Sequence, residues 1–207
     1  MIISKALDVL VLIFLLALFG YIHSVLASEK IKTWIKKSLG KRIAFYRIFY
    51  NIFSVITLYL VWDLAPHPFL QIYSLPAPFD YLMIFLQLLS FAGLVWCFKY
   101  VNFREFIGLN QLDRFLKDKY TEDELDEKYT LRIEGPYKFS RHPIYLFSIT
   151  FLLFRAEMDL FYLTMLVSFV AYFYIGSYYE ERKMVRLFGD EYRNYQSKVP
   201  RIFPIKF

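Results

Sequence analysis

The chain has 207 residues, of which 57% are hydrophobic and 21% aromatic, with a formal net charge of +6 and a single cysteine, Cys97. A mean hydropathy of +0.36 is above what a soluble domain normally carries. One cysteine excludes intrachain disulfides and a cysteine-based zinc cluster, so no metal site is expected. Nothing in the chain has the form of a nucleic-acid-binding module, and no internal repeat or low-complexity tract interrupts it.

Four apolar stretches set the expected architecture, an all-α integral membrane protein of one domain, residues 1–207. Crossing a hydrocarbon core takes roughly 20 helical residues. Residues 6–27, 43–62 and 79–98 each supply one such span. The first resembles a signal peptide only superficially, being too long for its apolar region and lacking a small-residue cleavage site. The fourth stretch is long enough for a helical hairpin with arms 143–156 and 159–179, turning at Arg155, Glu157 and Asp159. Five spans are therefore expected, the last two as a hairpin.

Lys and Arg distribute unevenly between the connecting segments. Seven lie between Ala27 and Ile48, nine from Lys99 to Arg141 and seven from Arg182 to Lys206, whereas the segment from Asp63 to Asp80 has none. The positive-inside bias then places the N-terminus outside and the C-terminus in the cytoplasm. The net positive charge reads as a topology signal and as a grip on anionic headgroups. Between spans, residues 110–126 read as a charged amphipathic helix. Residues 180–197 read as an interfacial helix packed under the bundle, ended by Pro200 and Pro204.

The chemistry-bearing residues concentrate in the last third. Gly135-Pro136-Tyr137 is a turn signal, and Pro143 suits the first turn of a helix, which fixes Arg141 and His142 at that helix's N-terminus. Such a place favours anions. Tyr145 follows one turn on, sharing their face. Glu180 and Glu181 end the second hairpin arm, and adjacent helical residues point roughly 100° apart, so one faces the bundle and the other water. A hairpin brings Arg141, His142, Tyr145 and Glu180 together. His23 is either a base or an interhelical hydrogen-bonder, and His67, between two prolines, reads as structural.

The pattern G-x-Y-x-x-x-R-H-P-x-Y, followed by E-E, F-G-x-E-Y and V-P at fixed spacing over residues 129–204, resembles the integral-membrane methyltransferases related to isoprenylcysteine carboxyl methyltransferase and phospholipid N-methyltransferase. Residues 23–28 and 106–111 resemble a bacterial branch that includes methanethiol S-methyltransferases and denitrification-associated membrane proteins. The resemblance implies S-adenosylmethionine as methyl donor. It implies a cytoplasm-facing cofactor pocket made by the loop before the hairpin, the hairpin ends and the C-terminal tail, with contacts at Tyr129, Thr130, Leu131, Arg132, Tyr137, His142, Pro143, Ile144, Tyr145 and Glu180. Arg141 joins them by its charge, as a cation for the cofactor's carboxylate, and a thiol nucleophile needs a base, for which His142 or His23 is the candidate. Residue types agree, since a sulfonium, an ammonium, a carboxylate and an adenine want aromatic faces, an acid, a cation and a stacking wall.

In the carboxyl methyltransferases an arginine stands one turn before the cofactor-binding glutamate, where this chain has Gly176. The acceptor expected beside Gly176 and Ser177 is therefore a small thiol or an uncharged lipophilic molecule dissolved in the bilayer. Alternatives are isoprenylcysteine carboxyl or phospholipid methylation, or a non-catalytic membrane accessory role. A bacterial inner membrane is the expected location.

Overall fold

A computed structural model describes residues 2–121, 125 and 129–204, most of them helical, with one small sheet and irregular connections. In chain order the helices are α1 (Ile2–Ala27), α2 (Glu29–Leu39), α3 (Tyr46–Leu64), α4 (Phe79–Phe98), α5 (Phe103–Ile107), α6 (Leu109–Leu116), α7 (Pro143–Leu153) and α8 (Leu160–Lys198). Two short strands, β1 (Gln71–Ser74) and β2 (Glu157–Asp159), pair antiparallel. The chain divides into two compact units, one of Met1–Ile13, Pro66–Tyr100 and Leu131–Phe207, the other of Phe14–Ala65 and Val101–Thr130.

Four stretches are long and apolar enough to cross a membrane: Ser4–Ala27, Glu29–Leu64, Phe79–Phe98 and Leu160–Lys198. The fourth expected span, 143–156, is instead an 11-residue helix. At 1.5 Å per residue it covers about 16 Å, roughly half a hydrocarbon core. The second expected span, 43–62, starts later than expected, because Gly40–Phe45 tightens into a 3-10 turn before α3 begins.

Within the first unit α4 and α7 pack side by side. Close approach is possible because position 93 is glycine: a Cβ there would lie 2.4 Å from the Phe147 ring. Gln87 on α4 also donates to the Phe151 carbonyl at 3.0 Å. Gly93→Leu is expected to force the two helices apart, at a cost of about 2–3 kcal/mol by overpacking. Thermal unfolding in detergent reads that loss as a lower midpoint.

The hairpin turn is ordered by β1 rather than left to snorkel. β2 pairs with β1, Leu75 N–H donates to Ala156 O at 2.9 Å, and Leu160 N–H donates to Leu70 O at 2.9 Å. Arg155 covers the Tyr162 ring at 3.6 Å, and His67 meets Phe161 edge-on at 4.3 Å. The mainly helical expectation holds, and this small sheet is an addition to it that closes the end of the α7–α8 hairpin. Below it Leu146, Ile149, Met158, Leu166 and Ile202 form a buried core.

In the second unit, Ile43, Ala44, Tyr46, Tyr50 and Tyr120 form the core, with Leu26, Ile35 and Phe115 packed on it. The amphipathic helix expected over 110–126 is only α6, ending at Leu116, and Asp118 then takes φ +51°; most of 122–128 lies outside the described residues. Arg114 grips Glu105 through two hydrogen bonds of 2.8 and 2.9 Å, joining α6 to α5. α5 docks on α3 through Arg47 and Asn51, each donating at 2.9 Å to Phe106 O.

Candidate functional site

α8 runs 39 residues, about 58 Å, nearly twice a hydrocarbon core. Its apolar part ends near Tyr179, so Glu180 and Glu181 stand on the first turn beyond it. The helix continues to Gly189, whose φ of +54° interrupts it, and a last segment reaches Lys198. The interfacial helix expected over 180–197 is thus the far end of α8, broken at one glycine.

The residues after α8 return to the start of α7. Arg141 N–H donates to Pro200 O and His142 N–H to Arg201 O, each at 3.0 Å, and the Ser140 hydroxyl donates to Ile202 O at 2.7 Å. Pro200 stands just past the end of α8 and begins a strap, whereas Pro204, six residues beyond Lys198, ends no helix. Ile202 plugs the core beside Leu146. Tyr195 is held by donation to the Tyr137 carbonyl, and Leu131 packs against the Tyr192, Tyr195 and Val199 cluster.

Glu181 is the centre of this junction. Its side chain is 4% exposed, and it accepts from Arg141 Nε at 2.7 Å and Gln196 Nε2 at 3.0 Å, with Arg201 Nε at 3.4 Å. His142 Nε2 lies 3.3 Å from the same carboxylate. Burial would raise its pKa, but the hydrogen bonds from His142 and Arg141 outweigh that and hold it down to about 2. Arg141, 9% exposed, spends its remaining reach on the carbonyls of Gln196 and Val199. Arg141 therefore pins the strap to α8.

Glu180 faces the other way, 53% exposed. It accepts from the Tyr145 hydroxyl, and one oxygen lies 3.3 Å from His142 Nδ1. Both nitrogens of His142 thus meet carboxylates. Burial lowers the His142 pKa, while the hydrogen bonds to Glu180 and Glu181 raise it, and the net direction is upward. The His142 ring stacks on Tyr145 at 5.2 Å and 8°, and Tyr145 stacks on Phe173 at 4.5 Å and 11°. The result is an aromatic column ending at an accessible carboxylate.

Gly176 lies where a Cβ would come 4.0 Å from the Tyr145 hydroxyl, in ordinary contact, while the buried Ser177 hydroxyl donates to Tyr174 O at 2.8 Å. Only Gly176 leaves room beside the column. Burial raises the Tyr137 pKa, with Arg132 close enough to oppose it. Pro143 is buried at the first turn of α7 and Ile144 is half-buried.

Of the residues singled out in the sequence, Arg141, His142, Tyr145 and Glu180 come together in the first unit. Leu131, Arg132 and Tyr137 belong to that unit too, whereas Tyr129 and Thr130 belong to the second, both exposed. His23 also lies in the second unit, where Nδ1 meets the Ser54 hydroxyl at 2.9 Å and Nε2 meets the Tyr50 hydroxyl at 2.7 Å. With both nitrogens engaged it joins α1 to α3. Sequence reasoning passed over Phe173 and Gln196, and gave Arg201 no role in the site. Phe173 was findable, since 173, 176 and 180 share one helical face.

The profile of the family described as NnrU protein matches residues 11–149. The chain is 35% identical to methanethiol S-methyltransferase 1 of Bradyrhizobium diazoefficiens, over 97% of this chain and 68% of that protein. It is 28% identical to the methanethiol S-methyltransferase of Crocosphaera subtropica, over 92% and 72%, and 26% identical to that of Pseudomonas deceptionensis, over 97% and 74%. No solved structure matches. Among the described residues no group of histidine, cysteine and acidic side chains is placed to hold a metal ion. Helices apolar enough to cross a membrane and relatives spanning nearly the whole chain lead to one assignment: the chain belongs to the NnrU protein family, a bacterial membrane family related to the methanethiol S-methyltransferases.

Proposed function

We propose that this protein transfers a methyl group from S-adenosylmethionine to a small thiol, bound as the thiolate after its proton has left to bulk water, at the cytoplasmic face of the inner membrane. The observation that carries the reading is the accessible Glu180 carboxylate at the end of the His142–Tyr145–Phe173 column, in a chain whose relatives are named methanethiol S-methyltransferases. The donor set fits the cofactor: an acid for a cation, and aromatic faces for a sulfonium and an adenine. Glu180, Tyr145 and Phe173 would hold it, with Tyr137 and Arg132 as further contacts.

Bound there, S-adenosylmethionine supplies a methyl group already activated on a sulfonium. The chain's own residues orient and exclude water, the terms that matter most for an in-line displacement. His142, flanked by two carboxylates that favour its protonated form, aims Glu180. Tyr145 donates to Glu180 and fixes its second oxygen. Gly176 keeps the space beside Tyr145 free of a cation, which suits an uncharged or small acceptor better than a carboxylate.

Topologically the reading uses five crossings. β1 precedes α4 and β2 follows α7, and the two strands pair, so α7 with its flanks returns to the level from which α4 starts. This supports α7 as a short crossing and leaves Glu180 on the side of Lys99, where the positive charge collects.

The test is purified protein with methyl-labelled S-adenosylmethionine and a panel of methanethiol, longer thiols, a prenylcysteine and phosphatidylethanolamine. Label is expected on the thiols. Label confined to prenylcysteine or phosphatidylethanolamine would overturn the acceptor class, and no label on any would overturn the enzymatic reading.

A further inference from the structure

Between α1 and α3 the chain inserts a helix unlike any of its apolar spans. Ser28 starts it: the hydroxyl donates to Val25 O at 2.6 Å and accepts from Ile31 N–H at 3.4 Å. Gly40 stops it with φ +52° and an N–H donated to Lys36 O. The 11 residues of α2 cover about 16 Å, too short to cross a bilayer, and they carry Glu29, Lys30, Lys32, Lys36 and Lys37. A charged helix tied between two apolar ones has its place along the membrane surface.

Its two faces differ. Inward, Ile35 packs on the core of Ile43, Ala44 and Tyr46, and Lys32 is buried. Outward, Lys30, Trp34 and Lys37 recur at intervals of four and three and so form one stripe. All three are exposed, Trp34 by 67%. Exposed Lys41 and Arg42 follow in the 3-10 turn, with exposed Leu39 and Phe45 beside them. Among the described residues the acids nearby are Glu29 in the first turn and Asp118, which lies 2.9 Å from Lys41 with both side chains in the open. Four cations thus share this face with two acids among the described residues.

We propose that the outer face of α2 and its 3-10 turn binds the headgroups of anionic phospholipids, with Lys30, Lys37 and Arg42 against the phosphate and Trp34 at the acyl boundary. Charge complementarity selects the anion. The exposed Trp34, Leu39 and Phe45 select a lipid over a free phosphate, since a soluble anion gains nothing from an apolar shelf, whereas an indole sits well where headgroup meets chain. Each basic residue near an anionic surface adds roughly 1 kcal/mol, about fivefold in preference. Three of them are enough to discriminate phosphatidylglycerol from phosphatidylcholine.

The full chain in nanodiscs of mixed phosphatidylcholine and phosphatidylglycerol provides the test, with retained lipid counted by native mass spectrometry. The wild type is expected to retain phosphatidylglycerol above its share, and Lys30→Gln/Lys37→Gln/Arg42→Gln to lose that preference by about tenfold or more. Lys30→Arg/Lys37→Arg should keep it. A wild type with no preference, or a glutamine variant that keeps it, would overturn the proposal. An independent readout uses the protein with Trp62→Phe and Trp96→Phe, leaving Trp34 as the sole indole. Acyl-brominated phosphatidylglycerol should quench its fluorescence more than brominated phosphatidylcholine at equal mole fraction, and equal quenching would count against the proposal.

Discussion

Glu181→Ala is expected to unfold the site end of the protein, at a cost of about 3–5 kcal/mol, the usual penalty for removing one partner of a buried ion pair. Four side chains lean on this one carboxylate: Arg141, His142, Gln196 and Arg201. Without it, a nearly buried guanidinium keeps its charge in a setting that no longer compensates it. The strap after Val199 then loses its tie to α8, and Ile202 its place in the core. Glu181→Gln retains shape and some hydrogen bonds but not charge, so it should fall between alanine and wild type. Thermal unfolding in detergent measures both.

The same cluster gives stability a defined pH dependence. The Glu181 pKa falls from 4.5 to about 2 on folding, so its stabilisation is complete above about pH 4.5 and is lost as pH falls toward 2. The His142 pKa is raised on folding, so its contribution is complete below about 6.5 and is lost as pH rises through the raised value. The melting temperature should therefore decline at both ends of the range. Glu181→Ala should flatten the acid limb; an unchanged acid limb in that variant would assign it to other groups.

Glu180→Ala should do the opposite: leave the fold intact and remove function. Its carboxylate is half exposed and supports only Tyr145 and His142, so the melting temperature should move little. Cofactor affinity should fall by about 30-fold or more, corresponding to roughly 2 kcal/mol for one charge-assisted contact withdrawn. The neighbouring glutamates are thus separable by experiment, one through stability and the other through binding. Equal effects of the two substitutions on stability would contradict the division of roles drawn from their burial.

That division was only half legible in the sequence. Two adjacent helical residues must point in different directions, and the chain says so plainly. Which one turns inward depends on Arg141, Gln196 and Arg201, from α7's approach, the end of α8 and the strap, and no local pattern links them. Val199-Pro200-Arg201 was visible as a helix stop, but its pairing with the backbone of Arg141 and His142 is a long-range fact. Four apolar stretches were legible as spans because length and apolarity alone define them, whereas the arm 143–156 was read longer than the 11-residue α7. β1 and β2 were not, since strands of four and three residues beside Pro76, Pro78 and Arg155 show no alternation to read. His23 could be read two ways from sequence, and the structure gives both its nitrogens to α3.

The central claim is that the Glu180 end of the aromatic column binds S-adenosylmethionine. Titration calorimetry of the purified chain in detergent with S-adenosylmethionine, beside Glu180→Ala of equal melting temperature, tests it most directly. Saturable binding by the wild type with at least about 30-fold weaker binding by the variant is the predicted result. Absence of binding to the wild type, or equal affinity in the two proteins, would contradict it.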